Sequence, residues 1–127
     1  MSKLMGIDFG SKRVGIALSD DTGSIAFPKA ILPNNRRLLE AVVALVREEG
    51  VGTIVIGESK HFTGEDNAIM DEIRRFITGL EKETDARIVY EPEFYTSVEA
   101  RRESGEGSVD DKAAAIILNS FIMRTKK

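Results

Sequence analysis

Three short apolar runs follow one another at the start of the chain, and a tight turn closes each of the first two. The runs occupy residues 4–9, 14–19 and 24–32. The turns are built from Gly10-Ser11-Lys12-Arg13 and from Asp20-Asp21-Thr22-Gly23. Consecutive strands with links this short pair as antiparallel neighbours, so the pattern predicts a β-meander. Pro28 lacks a backbone N–H and therefore indicates an edge position for the third strand or a strand end.

Strand and helix patterns alternate in the rest of the chain. Apolar residues recur at spacings of three and four from Leu38 to Val46, which predicts a helix that ends at Gly50. Further strands are predicted at residues 53–57 and 87–90, a second amphipathic helix at residues 69–80, and two last helices with capping signals at residues 96–99 and 108–111.

The predicted order is three strands, a helix, a strand, a helix, a strand and two short helices. Strand and helix alternation after a meander is typical of an α/β fold with a mixed sheet. We therefore expect five strands, an antiparallel meander followed by parallel strands, with helices on both faces. The length of 127 residues and the absence of a linker predict one domain over residues 1–127.

Composition limits the chemistry. The chain has no cysteine and one histidine, His61, which excludes thiolate metal sites, a cysteine nucleophile and a histidine-rich zinc site. Metal ligands would therefore be oxygens, which suit Mg²⁺ or Mn²⁺. No apolar run is long enough to cross a bilayer, and the first residues enter a strand pattern at once, so we expect a cytoplasmic protein without membrane contact.

The net charge of −3 argues against a general nucleic-acid coat protein, but it leaves room for a local basic rim. Paired cations occur at several places, and for most of them we expect no more than a solvated surface. These pairs are Lys12-Arg13, Arg36-Arg37, Arg74-Arg75 and Arg101-Arg102.

The most informative local feature is an acid, Asp8, at the end of the first apolar run. Gly6 and Gly10 flank it, and Lys12 and Arg13 follow. Burying a carboxylate is costly unless it is paired or ligates a metal, and glycines allow a metal, a phosphate or another backbone to approach closely. A carboxylate that only accepts hydrogen bonds from turn amides is the simpler alternative.

The opening Gly-Ile-Asp-Phe-Gly-Ser-Lys-Arg-Val-Gly resembles that of the YqgF/RuvX family, Holliday-junction-resolvase-like proteins also described as pre-16S rRNA nucleases. The resemblance spans nearly the whole chain. It continues through Ile54-Val55-Ile56-Gly57, Glu93 with Thr96-Ser97-Val98-Glu99-Ala100, and Val109-Asp110-Asp111-Lys112-Ala113-Ala114. It implies a ribonuclease H-like fold and a nuclease.

The resemblance also implies the site. Asp8, Glu93 and Asp110 would be the catalytic acids and would hold Mg²⁺ or Mn²⁺, while Lys12 or Arg13 would contact substrate phosphate. The capping-box pattern supports the choice of Asp110 over Asp111. If Ser108 is the N-cap, its partner in the box is Asp111, and Asp110 is available as a ligand. Two divalent ions held in this way could activate water and stabilise the leaving oxygen.

The chain departs from the family pattern beside Glu93. Where relatives have Asp-Glu-Arg, this chain has Pro92-Glu93-Phe94, unless Glu91 substitutes for the missing acid from one position earlier. Loss of the arginine removes a phosphate contact or a partner of the glutamate. The segment after the fourth strand, Glu58-Ser59-Lys60, also differs from the family's usual Leu-Pro.

Three hypotheses follow. The first is a Mg²⁺- or Mn²⁺-dependent endonuclease, monomeric or homodimeric, that acts on structured RNA or branched DNA, with processing of the 16S rRNA precursor as the substrate implied by the resemblance. The second is a relative that binds nucleic acid or a ribosome-assembly partner and has weak or no activity. The third is an actin-like sugar kinase or ATPase with residues 8–13 as its phosphate loop. It would need two large lobes and a second phosphate loop, which 127 residues cannot supply.

Overall fold

A computed structural model describes residues 3–10, 12–58, 66–92 and 111–125. The elements within these ranges, in chain order, are β1 Lys3–Phe9, β2 Arg13–Ser19, β3 Ala26–Pro33, α1 Leu38–Glu49, β4 Val51–Glu58, α2 Asp66–Glu83, β5 Arg87–Pro92 and α3 Asp111–Thr125. The helix predicted near residue 96 and the cap predicted at Ser108 lie outside the described residues.

The five strands form one sheet in the order β3-β2-β1-β4-β5. β1 pairs with β2 and β2 with β3 in antiparallel fashion, whereas β1–β4 and β4–β5 are parallel. This is the mixed sheet that the sequence predicts, and β1 is its central strand. β3 lies at an edge, which suits Pro28 because proline cannot donate a hydrogen bond to a neighbouring strand.

Strand alternation divides the apolar residues of β1 between the two faces of the sheet. Met5, Ile7 and Phe9 face the layer of α1 and α2, where they pack with buried residues such as Ile56 and Leu80. The opposite face packs on α3 through smaller side chains, including Ala17, Val55 and Ala114. Helices on both faces therefore cover the sheet, as predicted.

Gly50 ends α1 as the sequence predicts. Its φ of 68° is left-handed, a conformation that glycine adopts without strain, and its N–H bonds to the carbonyl of Val46. The chain then enters β4 directly at Val51.

Gly6 permits the close approach of α3 to the central strand. A Cβ at this position would lie 2.8 Å from the carbonyl oxygen of Ala114 and 2.8 Å from the Cβ of Leu118. The backbone of α3 thus lies directly on β1, two residues before Asp8.

No helix within the described ranges combines the length and the apolar character needed to cross a lipid bilayer.

Replacing Gly6 by alanine should destabilise the fold, because the new methyl group meets backbone that can move only with the whole helix. We expect Gly6→Ala to lower the free energy of unfolding by about 1–3 kcal/mol in urea titrations.

Gly79→Ala is the matched control. There the new Cβ meets mainly the Cδ2 of Leu39, the far end of a flexible side chain, and alanine gains about 1 kcal/mol in helix propensity over glycine. Equal losses in the two variants would contradict the close backbone contact at Gly6.

Candidate active site

Asp8 lies near the end of β1, the central strand, and its side chain is only 1% exposed. Gly6 faces α3, so Asp8, two residues further along the strand, projects from the same face. The carboxylate is therefore buried between the sheet and the layer that contains α3. A carboxylate in this position requires a compensating partner or a cation.

The neighbouring strands present glycines on both sides of Asp8. Asp8 pairs with Gly15 in β2. On the other side, the last residue pair between β1 and β4 is Ile7 with Ile56. Because these strands are parallel, Gly57 is the residue of β4 that lies beside Asp8. Neither glycine carries a side chain that could compete for the space beside the carboxylate.

Among the described residues, Glu91 of β5 is the second buried acid on this face. It pairs with Gly57 in the sheet and is 2% exposed. The Oγ of Ser120 donates to its Oε2 over 2.9 Å, and the Nε and Nη2 of Arg124 donate to its Oε1 over 3.0 and 2.6 Å. Both carboxylate oxygens of Glu91 therefore bind α3.

Arg124 completes this group, which we call the Glu91 clamp (Glu91, Ser120 and Arg124). The hydrogen bonds from Arg124 to Glu91 raise the pKa of the guanidinium above its usual value, and Arg124 also lies over the ring of Phe121 at 5.6 Å. Two interstrand spacings, about 10 Å, separate the backbones of Glu91 and Asp8. The Glu91 carboxylate thus ties β5 to α3 and points to those partners.

The two predicted phosphate contacts, Lys12 and Arg13, are exposed and lie at the β1–β2 turn. The N–H of Gly10 bonds to the carbonyl of Arg13 over 3.0 Å and closes this turn. Arg13 precedes Gly15 by two residues, so it projects from the same sheet face as Asp8.

The other predicted acids, Glu93 and Asp110, lie outside the described residues, as do His61 and Phe94. Glu93 directly follows the last residue of β5, and Asp110 directly precedes the first residue of α3. Within the described ranges no three acidic or histidine side chains form a group that could hold a metal. The predicted three-acid site therefore remains a prediction.

The family model described as "RuvX: Holliday junction resolvase" matches residues 2–124. The chain belongs to the RuvX family. A relative from Maridesulfovibrio salexigens is 33% identical over 133 positions, which cover 96% of this chain and 98% of the relative. A relative from Bacteroides fragilis is 35% identical and covers 96% of both chains. Both are named as candidate pre-16S rRNA nucleases.

Two solved structures share the RuvX chain's fold. One is T. thermophilus RuvC in complex with a Holliday junction substrate, with a TM-score of 0.59, 9% identity, and coverage of 100% of this chain and 82% of that one. The other is a Fowlpox virus resolvase with Holliday junction DNA, with a TM-score of 0.55, 14% identity, and coverage of 98% and 99%. They confirm the predicted ribonuclease H-like fold, and the family match confirms the predicted class, a nuclease.

The clamp generates a stability prediction. Arg124→Met removes two of the three hydrogen bonds that described residues donate to the buried Glu91 carboxylate, so the free energy of unfolding should fall by about 2 kcal/mol. Urea unfolding at neutral pH measures the loss.

Arg74→Met serves as the control, because Arg74 pairs with Asp71 on the surface, where both side chains are more than half exposed. Such pairs contribute less than about 1 kcal/mol. A loss in Arg74→Met as large as the loss in Arg124→Met would show that Arg124 does not compensate a buried carboxylate.

Proposed function

We propose that this RuvX chain is a metal-dependent endonuclease that hydrolyses phosphodiester bonds in structured nucleic acid. The observation that carries the proposal is the buried carboxylate of Asp8 at the end of the central strand, in a chain that matches the resolvase family over residues 2–124. We further propose that residues 1–127 act as one nuclease domain in the cytoplasm.

The substrate we propose is the precursor of 16S rRNA. This choice is supported by the names of relatives that align over nearly their whole length with this chain. The structures that share the fold have Holliday junction DNA as their substrate, so a branched DNA is the second candidate. Both are structured nucleic acids with the same scissile bond.

The donor set fits a hard divalent cation. Asp8 offers carboxylate oxygens between two glycines, and Glu93 and Asp110 would add further oxygen ligands, which suits Mg²⁺ or Mn²⁺. Glu91 is not part of this set, because its two oxygens are engaged by α3. A bound cation would neutralise charge on the phosphate and lower the pKa of a bound water.

The protein's own residues orient the reaction. The central strand and the surrounding buried residues hold the Asp8 carboxylate in one position, so the substrate has to be oriented relative to it. Arg13 projects from the same face and can donate to a phosphate oxygen, with Lys12 beside it. These contacts would hold the scissile phosphodiester next to the acids.

A weakly active or inactive nucleic-acid-binding relative is the second candidate function. Its support is the replacement of the family's Asp-Glu-Arg by Pro92-Glu93-Phe94. An apolar ring at position 94 cannot neutralise charge that develops on the phosphate, whereas an arginine can.

The three-acid site is tested by isosteric replacement. Asp8→Asn, Glu93→Gln and Asp110→Asn should each lower the cleavage rate by about a hundredfold or more, as expected when a group that stabilises transition-state charge is lost. The assay uses labelled precursor rRNA fragments and four-way DNA junctions with Mg²⁺ or Mn²⁺.

Thermal unfolding supplies a second readout. Mg²⁺ should raise the midpoint of the native chain and not that of Asp8→Asn, because binding to the folded state alone stabilises it. Asp71→Asn, a change on the exposed face of α2, should keep both activity and the Mg²⁺ shift. Full activity of Asp8→Asn would refute the proposed site.

Pro92 and Phe94, which stand where the family has an aspartate and an arginine, provide a test between a nuclease and a protein that only binds nucleic acid. We expect weak turnover by the native chain and a gain when Phe94→Arg is combined with Pro92→Asp, because the pair restores the family's cation and acid. Single-turnover cleavage measures the gain. If the double variant is inert on every substrate while the native chain binds them in a salt-dependent way, the protein is a binder and not a nuclease.

A further inference from the structure

Four exposed cations lie at the edge of the sheet where β1 ends. Lys12 lies in the β1–β2 turn and Arg13 is the first residue of β2, whereas Arg36 and Arg37 lie between β3 and α1, more than twenty residues later. Pro33, the last residue of β3, pairs with Arg13 in the sheet and so brings the segment that follows it close to the turn. The fold therefore brings together two basic pairs that are separate in the sequence.

Two asparagines fix the position of the second pair. The Nδ2 of Asn34 donates to the carbonyl of Gly10 over 2.7 Å, and its backbone N–H donates to the carbonyl of Lys12 over 2.9 Å. The Oδ1 of Asn35 then accepts the N–H of Arg37 over 2.9 Å. The backbone that carries Arg36 and Arg37 is thus held against the turn that carries Lys12.

Within the part of the chain that the structure describes, no acidic side chain pairs with these four cations. The acid closest to them in the following helix is Glu40, in the first turn of α1. Four exposed positive charges at one edge of a chain with net charge −3 create a local field that attracts a polyanion.

We propose that Lys12, Arg13, Arg36 and Arg37 form one phosphate-binding surface, the basic edge, which holds the sugar–phosphate backbone flanking the bond to be cleaved. Arg13 lies diagonally across from Asp8, about 7–8 Å between Cα atoms. Arg36 and Arg37 lie beyond β3, the outermost strand on that side, and so contact phosphates further from the scissile one. The proposal rests on the proposed function and extends it to residues outside the acidic site.

The experiment measures the salt dependence of binding. The native chain and Arg36→Gln/Arg37→Gln are titrated, with EDTA present, against a labelled RNA hairpin that has a single-stranded extension and against a labelled four-way DNA junction. The logarithm of the association constant falls linearly with the logarithm of the salt concentration. Each lost phosphate contact makes this slope less steep by about 0.7 on single strands and about 0.9 on duplex DNA. We expect the double variant to lose about 1.4 on the RNA extension and about 1.8 on the junction.

Two further variants separate a local contact from a change in net charge or a folding defect. Arg74→Gln/Arg75→Gln removes the same charge from the exposed face of α2 and should keep the native slope. Arg36→Lys/Arg37→Lys retains both charges and should retain most of the slope. In cleavage assays Arg36→Gln/Arg37→Gln should raise KM and leave kcat close to native, because the contacts lie away from the scissile bond.

The outcomes distinguish this proposal from the proposed function. An unchanged slope in Arg36→Gln/Arg37→Gln, or an equal loss in the Arg74 and Arg75 control, overturns the basic edge and leaves the nuclease assignment standing. A loss of slope in the lysine variant also overturns it, because charge would then not be the cause. A native chain that binds neither probe overturns both the basic edge and the proposed substrates.

Discussion

The contact between the backbone of α3 and the central strand is the constraint on which the candidate site depends. At Gly6 the carbonyl of Ala114 and the Cβ of Leu118 leave no room for a side chain. The atoms in contact are backbone atoms and a Cβ, which cannot move by rotation of a side chain. The helix can therefore shift relative to the strand by only about a few tenths of an ångström. Asp8 is two residues further along that strand, and Asp110 directly precedes that helix.

The Glu91 clamp gives α3 a second fixed point. Burying a carboxylate carries a large desolvation cost, and three hydrogen bonds from α3 offset it only in one arrangement of helix and strand. An apolar pair at these positions would serve stability as well, so we interpret the charged clamp as a contact that sets the position of the helix along the sheet. The clamp therefore fixes the end of β5, two residues before Glu93, against α3.

The sequence predicted the mixed sheet and the end of α1, because these depend on local signals: apolar runs and Gly50. It also predicted that Asp8 lies in an apolar strand, which its position in β1 confirms, while the role of Asp8 as a metal ligand stays a prediction. It did not predict the partners of Glu91, because Ser120 and Arg124 are about thirty residues away and no local pattern links them. Nor did it separate Arg36 and Arg37 from ordinary surface charges, because only the hydrogen bonds of Asn34 bring them beside Lys12.

The distribution of charge explains how a chain with net charge −3 can hold a polyanion. At the edge of the sheet where β1 begins, opposite charges neutralise one another: the Nζ of Lys3 lies 2.9 Å from Glu49, and Lys29 approaches the same carboxylate at 3.6 Å. The hydrogen bond between Lys3 and Glu49 raises the pKa of the lysine and lowers that of the glutamate, so both remain charged over a wide pH range.

At the opposite edge the four cations of the basic edge have no such partners among the described residues. They are exposed, so water and salt limit the cost of placing like charges together to a small part of the folding free energy. Among the described residues the paired edge contributes little field, and in our proposal the basic edge is the surface that attracts a nucleic acid towards Asp8. Net charge is therefore a poor guide to the partner of this protein, whereas the location of its unpaired charges is an informative one.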